Sequence, residues 1–296
     1  MNTRPLHRLT GLNPRPAAVG RVAFSLIEVL VVIALLSLII IGLVAMFSQT
    51  QRAYRLGTAQ VDVLEAGRAV TDMMTRELAQ MSPAYQPKLS VVCTTNCAIQ
   101  LHAPPPVFQE LPGSPLPGRT NLLEDFFFLT QENQRWSGIG YKVLDPATGQ
   151  WPQGGIGTLY RYETNGYFRQ PTWQLCYGYA AARSTNLTRL LDGVVHLTIH
   201  AFDTNGVWIN QSLGPNIAVT WPSTVPDEPY NSGFFSNAVP ASVEIELGIL
   251  EERSIERARS ITDVNARSNF VAQLAGKVHI FRWRVPVRNV DPVAYQ

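Results

Sequence analysis

The sequence is poor in cysteine and in charge, and each shortage excludes a class of protein. Three cysteines in 296 residues are too few for a scaffold built on disulfides. Charged residues make up 16% of the chain, below the usual quarter, and a net charge of +2 gives no reason to expect a nucleic-acid partner. The length allows one large domain or two small ones beyond a membrane anchor.

The familiar motifs of catalysis are also missing. The sequence contains no G-x-S-x-G, Walker loop, H-E-x-x-H or Rossmann fingerprint. His196 and His200 would share one strand face about 13 Å apart, which is too far to chelate one metal alone. We therefore predict a non-catalytic protein with no cofactor and no metal, in which the histidines are structural.

A long apolar run begins near the N-terminus. Residues 29–47 carry no charge, and about 20 mainly apolar residues can cross a bilayer as one helix. The apolar stretch as a whole starts at Phe24, and Glu28 lies just inside its start, where an ionisable residue costs about 2.5–3.5 kcal/mol and normally has a partner. Residues 1–23 contain four arginines and no acid, so the positive-inside rule predicts a cytoplasmic leader and a main domain on the far side.

The sequence around Glu28, FSLIEVLVVIALL, resembles the N-terminal signal of type IV prepilins and type II secretion pseudopilins. The resemblance implies cleavage by a prepilin peptidase between Ala23 and Phe24, followed by N-methylation of Phe24. It also implies that Glu28 meets the N-terminal ammonium of a neighbouring subunit during assembly, since each charge offsets the cost of the other in hydrocarbon. The family usually has Gly where this chain has Ala23, and we expect processing to survive because Ala is the next-smallest residue.

Two later stretches carry a second resemblance. LLDGVVHLTIHAFDTNGVW (190–208) and VPASVEIELGIL (239–250) are similar to the C-terminal half of J-type minor pseudopilins and W-type minor pilins. The size and the ending RVPVRNVDP are also similar to pilin-like proteins of Verru_Chthon cassettes. The chain departs from the family by a charged insertion, EERSIERARSI (251–261), and by a proline-rich middle. Residues 83–185 remain unassigned by these resemblances.

The helical pattern continues beyond the apolar run. Apolar residues recur at three- and four-residue steps, with Val63 and Val70 in the stripe, and Pro83 stops the pattern. We predict one helix over residues 24–81, of which 24–47 lie in the membrane. The expected weak points of its second half are Gly57 and Gly67.

Short strands and loops follow from residue 82 to residue 296. The predicted strands are Asp125–Thr130, Gly140–Leu144, Thr158–Tyr162, Leu175–Tyr179, Val194–Phe202, Ser242–Leu250 and Lys277–Val287. Asn205-Gly206 predicts a tight hairpin turn, and the apolar phase shift between Ile280 and Phe281 predicts a bulge. The predicted fold is α+β and pilin-like, with a long N-terminal helix, membrane-spanning in its first half, packed on an antiparallel β-sheet head.

Cys93 and Cys97 bracket the tripeptide TTN. In an oxidising periplasm we expect them to close a small disulfide loop; the spacing also permits half a metal site, but no second pair completes it. Cys176 is expected to be buried in an apolar strand. The charged segment 251–261 is interpreted either as a partner-binding surface or, more simply, as the solvated face of a helix.

Two functional hypotheses follow. The first is a minor pilin or pseudopilin subunit that enters or caps a type II secretion pseudopilus or a type IV pilus-like fibre. Its partners would be the prepilin peptidase, other pilin or pseudopilin subunits, an inner-membrane assembly platform and membrane lipid, with one inner-membrane pass and a periplasmic head. The second is a signal-anchored periplasmic binding or enzymatic domain with a pilin-like N-terminus.

Overall fold

The computed structural model of the chain describes residues 25–86, 95–101, 107–109, 118–133, 135–167, 172–220 and 231–295. They belong to two compact units, the first ending at Arg55 and the second running over Leu56–Gln296. The predicted leader, residues 1–23, lies outside the described residues. The class is α+β, as predicted: a long N-terminal helix and a large, curled antiparallel sheet.

Helix α1 (Leu26–Leu78) is shorter at its C-terminal end than the predicted helix. Its last turn tightens into i→i+3 bonds, with the N–H of Met81 donating to the carbonyl of Leu78 (3.0 Å). Ser82 then donates its N–H to Leu129 of the sheet (2.9 Å). The chain therefore leaves the helix before Pro83 because its backbone is already pairing with the sheet.

In the described residues, the second unit has eleven strands, nine of which form one sheet. The strands are β1 (Thr95–Leu101), β2 (Val107–Gln109), β3 (Arg119–Asn121), β4 (Glu124–Glu132), β5 (Arg135–Leu144), β6 (Gly157–Tyr167), β7 (Thr188–Phe202), β8 (Ile217–Thr220), β9 (Asn231–Phe235), β10 (Ser242–Leu250) and β11 (Val278–Pro286). The sheet order is β11-β10-β7-β6-β5-β4-β1-β9-β8, and every neighbouring pair is antiparallel; β2 and β3 form a separate pair. The remaining helices are α2 (Trp173–Ala181), α3 (Glu252–Ser260) and α4 (Val264–Ala272).

Both faces of the sheet are covered. Because side chains alternate along a strand, Phe126 and Phe128 of β4 join the core against α1, whereas Phe127 lies on the opposite face in a cluster with α2. Another cluster on that face joins Val195 of β7 to α3 and α4. The predicted stripe of α1 is confirmed in part: Val63 and Val70 are buried in the core.

Strand β7 pairs with two different strands along its length, and the sheet curls where the pairing changes. Its first half pairs with β6 and its second half with β10. The edge left open beside the second half is filled locally: Leu197 donates its N–H to the carbonyl of Leu122 (2.8 Å), and Ile199 donates its N–H to the buried carboxylate of Glu124 (2.6 Å). One acidic side chain thus replaces a strand partner.

The predicted strand Leu175–Tyr179 is wrong, because this segment belongs to helix α2. Short apolar runs fit a buried strand or a buried helix equally well by periodicity. In the helix, Leu175, Cys176 and Tyr179 lie together against Phe127. Cys176 is buried as predicted, but not in a strand.

The predicted bulge in the last strand is also wrong. The pairing of β10 with β11 runs without a register shift from Ser242–Pro286 to Leu250–Val278. The apolar phase changes because both faces of β11 carry apolar residues: Ile280 lies over Gly248 on one face, and Phe281 points at Gly67 of α1 on the other. Gly67 is therefore a close-packing position in the head.

Two local predictions are confirmed. The turn after β7 has Gly206 at φ +78°, and the N–H of Asp203 donates to the carbonyl of Val207 (2.9 Å). The charged insertion forms helix α3, with Ile255 and Ala258 buried and the charged side chains around them. Its pattern is that of an ordinary amphipathic helix.

Candidate functional site: the exposed apolar helix and its attachment to the head

The first turn of α1 places Glu28 at the third helical position after Ser25. The N–H of Glu28 donates to the carbonyl (3.0 Å) and to the hydroxyl (3.4 Å) of Ser25. The spacing Ser-x-x-Glu is that of a capping box, in which an acidic residue also suits the positive end of the helix. Ser25 therefore caps the first turn of α1 through the backbone N–H of Glu28, a local role that the S-x-x-E spacing could have predicted.

The rest of this part of α1 presents an apolar surface. The large hydrophobic side chains from Leu26 to Phe47 are exposed. The hydroxyl of Ser37 donates to the carbonyl of Ile33 (2.8 Å), and that of Thr50 donates to Met46 (3.0 Å). The polar groups are thus satisfied within the helix, as an apolar surrounding requires. By length and composition, this helix could span a membrane or act as a signal anchor.

The other predicted site residues have different outcomes. Ala23, Phe24 and Cys93 lie outside the described residues, so the cleavage position and the disulfide stay predictions. Cys97 lies on β1, where it pairs in register with Phe128 and is fully buried. Burial raises the pKa of the Cys97 thiol, so the reduced form would react poorly in the folded protein.

The last turn of α1 is attached to the sheet by an ionic cluster that the sequence analysis did not predict. Glu77 accepts a short hydrogen bond from the hydroxyl of Tyr141, and Arg161 donates to its other oxygen from Nε (2.9 Å) and Nη2 (2.7 Å). Burial and the adjacent Glu77 raise the pKa of Tyr141. Burial lowers the pKa of Arg161, but hydrogen bonds to Glu77 and Glu163 outweigh it and raise the pKa overall.

His196 is buried and hydrogen-bonded. The N–H of Leu122 donates to its Nδ1 (3.1 Å), and its Nε2 lies 3.3 Å from the hydroxyl of Thr198. Burial lowers the pKa of His196 to about 3, and the nearby charges of Arg119 and His200 act in the same direction. In the described part of the chain, no three His, Cys, Asp or Glu residues are grouped so that they could hold a metal ion.

A buried cation lies under helix α2. Lys142 donates from Nζ to the carbonyl of Tyr179 (3.0 Å) and lies 4.2 Å from the centre of its ring. Burial lowers the pKa of Lys142, and the charge of Asp125 opposes this shift. A cavity of about 300 Å³ beside it is lined by Lys142, Trp151 and Ala182. These contacts hold α2 on the sheet; they do not form a nucleophile–base pair.

Comparison with known proteins adds no relative. No protein-family model, curated protein or solved structure matches this chain.

Proposed function

We propose that this protein is a non-catalytic pilin-like or pseudopilin-like subunit that assembles through the first half of α1. The observation that carries the proposal is the position of Glu28. It is the single ionisable residue between Leu26 and Gln51, and it lies on the first turn of an exposed apolar helix. An acid in hydrocarbon requires a compensating cation, and a processed N-terminus on a neighbouring subunit supplies one.

In this proposal, the prepilin peptidase cleaves between Ala23 and Phe24 and methylates the new N-terminus. The protein then sits in the inner membrane with its head in the periplasm and joins other pilin or pseudopilin subunits through an assembly platform. The core packing of Val63 and Val70 and the Glu77 cluster support this proposal, since they attach the second half of α1 to the sheet, as a pilin-like head requires.

Processing is tested by intact mass or N-terminal sequencing of the membrane-extracted protein. We expect a chain that starts at methylated Phe24. A chain that retains Met1 would contradict the proposal and favour a signal-anchored periplasmic domain instead.

Assembly is tested with two substitutions at Glu28. Glu28→Leu removes both the charge and the polar side chain, whereas Glu28→Gln removes the charge but keeps a polar side chain of the kind that suits a first helical turn. We expect both variants to be inserted and cleaved normally. We also expect their co-purification with other pilin-like subunits to fall about tenfold or more, which corresponds to a loss of at least about 1.4 kcal/mol of pairing.

Ser37→Ala is the matched control, because it removes a polar group of the same helix that is already satisfied internally. It should be incorporated like the wild type. If Glu28→Gln is also incorporated normally while Glu28→Leu is not, a polar side chain on the first turn is sufficient and the charge pairing is refuted. Loss of cleavage in either variant would place Glu28 in peptidase recognition.

A further inference from the structure

The sheet ends differently at its two edges. At β8, the outward-facing backbone is covered by the chain itself: Val219 donates its N–H to the hydroxyl of Ser212 (2.9 Å), and Leu213 donates its N–H to the carbonyl of Ile217 (3.1 Å). Uncovered edges are templates for pairing, and natural proteins usually block them. The β8 edge follows this rule.

The β11 edge carries Arg282, Arg284 and Pro286, but no other segment of the described chain covers its backbone. Val287 donates its N–H to the carbonyl of Ala241 (3.0 Å) in the β10–β11 register, so the odd-numbered residues of β11 point their backbone groups toward β10. The even-numbered residues, among them Ile280, Arg282 and Arg284, point theirs outward. Within the described ranges, no strand pairs with this side of β11. The strand is regular over nine residues and therefore suits the addition of another strand.

The two faces beside this edge differ in chemistry. On the helix side lies a cavity of about 520 Å³. Its apolar lining is Val61, Leu64 and Phe281, and its polar lining is Glu65, Arg68, Thr71 and Asp72. On the other side lie the arginines. Arg282 is 65% exposed and pairs with Glu244 (2.6 Å). Arg284 rests on the Phe202 ring (3.7 Å) and donates from Nε to the hydroxyl of Ser242 (2.8 Å); among the described residues it has no salt bridge.

We infer that the free edge of β11 binds an extended segment of a partner protein by β-strand addition. Its apolar side chains alternate toward the groove lined by Val61, Leu64 and Phe281, and its acidic side chains alternate toward Arg282 and Arg284. A second copy of this chain fits less well, because the registers of greatest overlap place arginine opposite arginine, and like charges facing each other are destabilising. The inference does not depend on the proposed role of Glu28, since it uses only the second unit.

The test uses the full chain in detergent and a panel of synthetic nine-residue peptides that alternate valine or isoleucine with glutamate. Arg282→Pro removes an outward N–H, and proline is tolerated where the missing N–H faces away from the sheet, as at Pro286 in the same strand. Arg282→Ala is the matched control that removes only the charge and the Glu244 contact. We expect Arg282→Ala to weaken peptide binding a few-fold and Arg282→Pro about tenfold further.

A second arm uses the wild type and N-methylated peptides. Methylation of alternate amides in one phase should abolish binding, whereas methylation in the other phase should leave it, because only one set of amides faces β11. This second arm uses the wild type alone, so it tests strand addition even if Arg282→Pro destabilises the protein.

Three results would overturn the inference. The first is that no peptide of the panel binds. The second is that Arg282→Pro and Arg282→Ala bind equally well, or that both methylation phases do, so that charge alone is recognised. The third is a concentration-dependent dimer in analytical ultracentrifugation that Arg282→Pro abolishes, which would make a second copy the occupant.

Discussion

The contact between Gly67 of α1 and Phe281 of β11 gives a sharp test of how α1 packs on the head. A Cβ added at Gly67 would lie 2.3 Å from the tip of the Phe281 ring, whereas one added at Gly57 would have nothing within 4 Å. Both glycines lie in the same helix. The substitutions Gly67→Ala and Gly57→Ala therefore differ in packing and hardly at all in helix propensity.

The expected magnitudes follow from two opposing terms. Alanine is favoured over glycine in a helix interior by about 0.8–1.0 kcal/mol. Overpacking a formed contact costs about 1–3 kcal/mol, and the Phe281 ring must shift to admit the new methyl group. We expect Gly67→Ala to destabilise the head by about 0–2 kcal/mol, and Gly57→Ala to lie between no change and about 1 kcal/mol of stabilisation.

The assay is urea unfolding of the full chain in detergent, followed by tryptophan fluorescence. A double-mutant cycle with Phe281→Ala isolates the contact: in that background Gly67→Ala should become stabilising, with a coupling energy of about 1–3 kcal/mol. If Gly67→Ala stabilises as much as Gly57→Ala and the coupling is near zero, α1 does not pack on β11 as described.

Three further predictions concern the head. Val70 is 6% exposed, so Val70→Asp should bury an unpaired charge and lower the unfolding free energy by about 3–5 kcal/mol in urea titrations; an unchanged midpoint would show that this face of α1 is not core. Labelling of thiols after unfolding without reductant should modify one cysteine if Cys93 and Cys97 are bonded and all three if they are not, and unfolding is needed because Cys97 is buried. The pKa of His196 is lowered to about 3 in the folded state, so the unfolded chain binds its proton first and stability should fall as the pH drops from about 6.5 toward 3. His196→Asn keeps an acceptor for the backbone and should flatten this slope between pH 7 and pH 4; an unchanged slope would assign the pH dependence to other groups.

Glu28 contributes to this helix through its backbone as well as its side chain. Its N–H donates to Ser25, and its carboxylate is the single ionisable group between Leu26 and Gln51. A side-chain substitution leaves the backbone hydrogen bond in place. The comparison of Glu28→Gln with Glu28→Leu therefore separates the loss of the charge from the loss of a polar side chain that suits the first helical turn.

The sequence alone determined those elements whose evidence is local and repeated. The absence of proline and the unbroken apolar run predicted α1, because helix formation is decided by nearest neighbours along the chain. The alternation in Ser242–Leu250 predicted β10 with the observed bounds, since a half-buried strand must alternate. Asn205-Gly206 predicted its turn, and Gly206 takes the positive φ that glycine adopts without strain.

Tertiary structure decided whatever depended on a partner distant in sequence. Leu175–Tyr179 is helical because its apolar face fits Phe127 of β4, a contact that periodicity in a short run cannot reveal. The shift of the apolar pattern at Phe281 is explained by the contact of its ring with Gly67, which is more than 200 residues away in the sequence. Glu124 completes the edge of β7 only because the sheet curls there. Each of these features depends on a contact between distant segments, and such contacts exist only once the chain has folded.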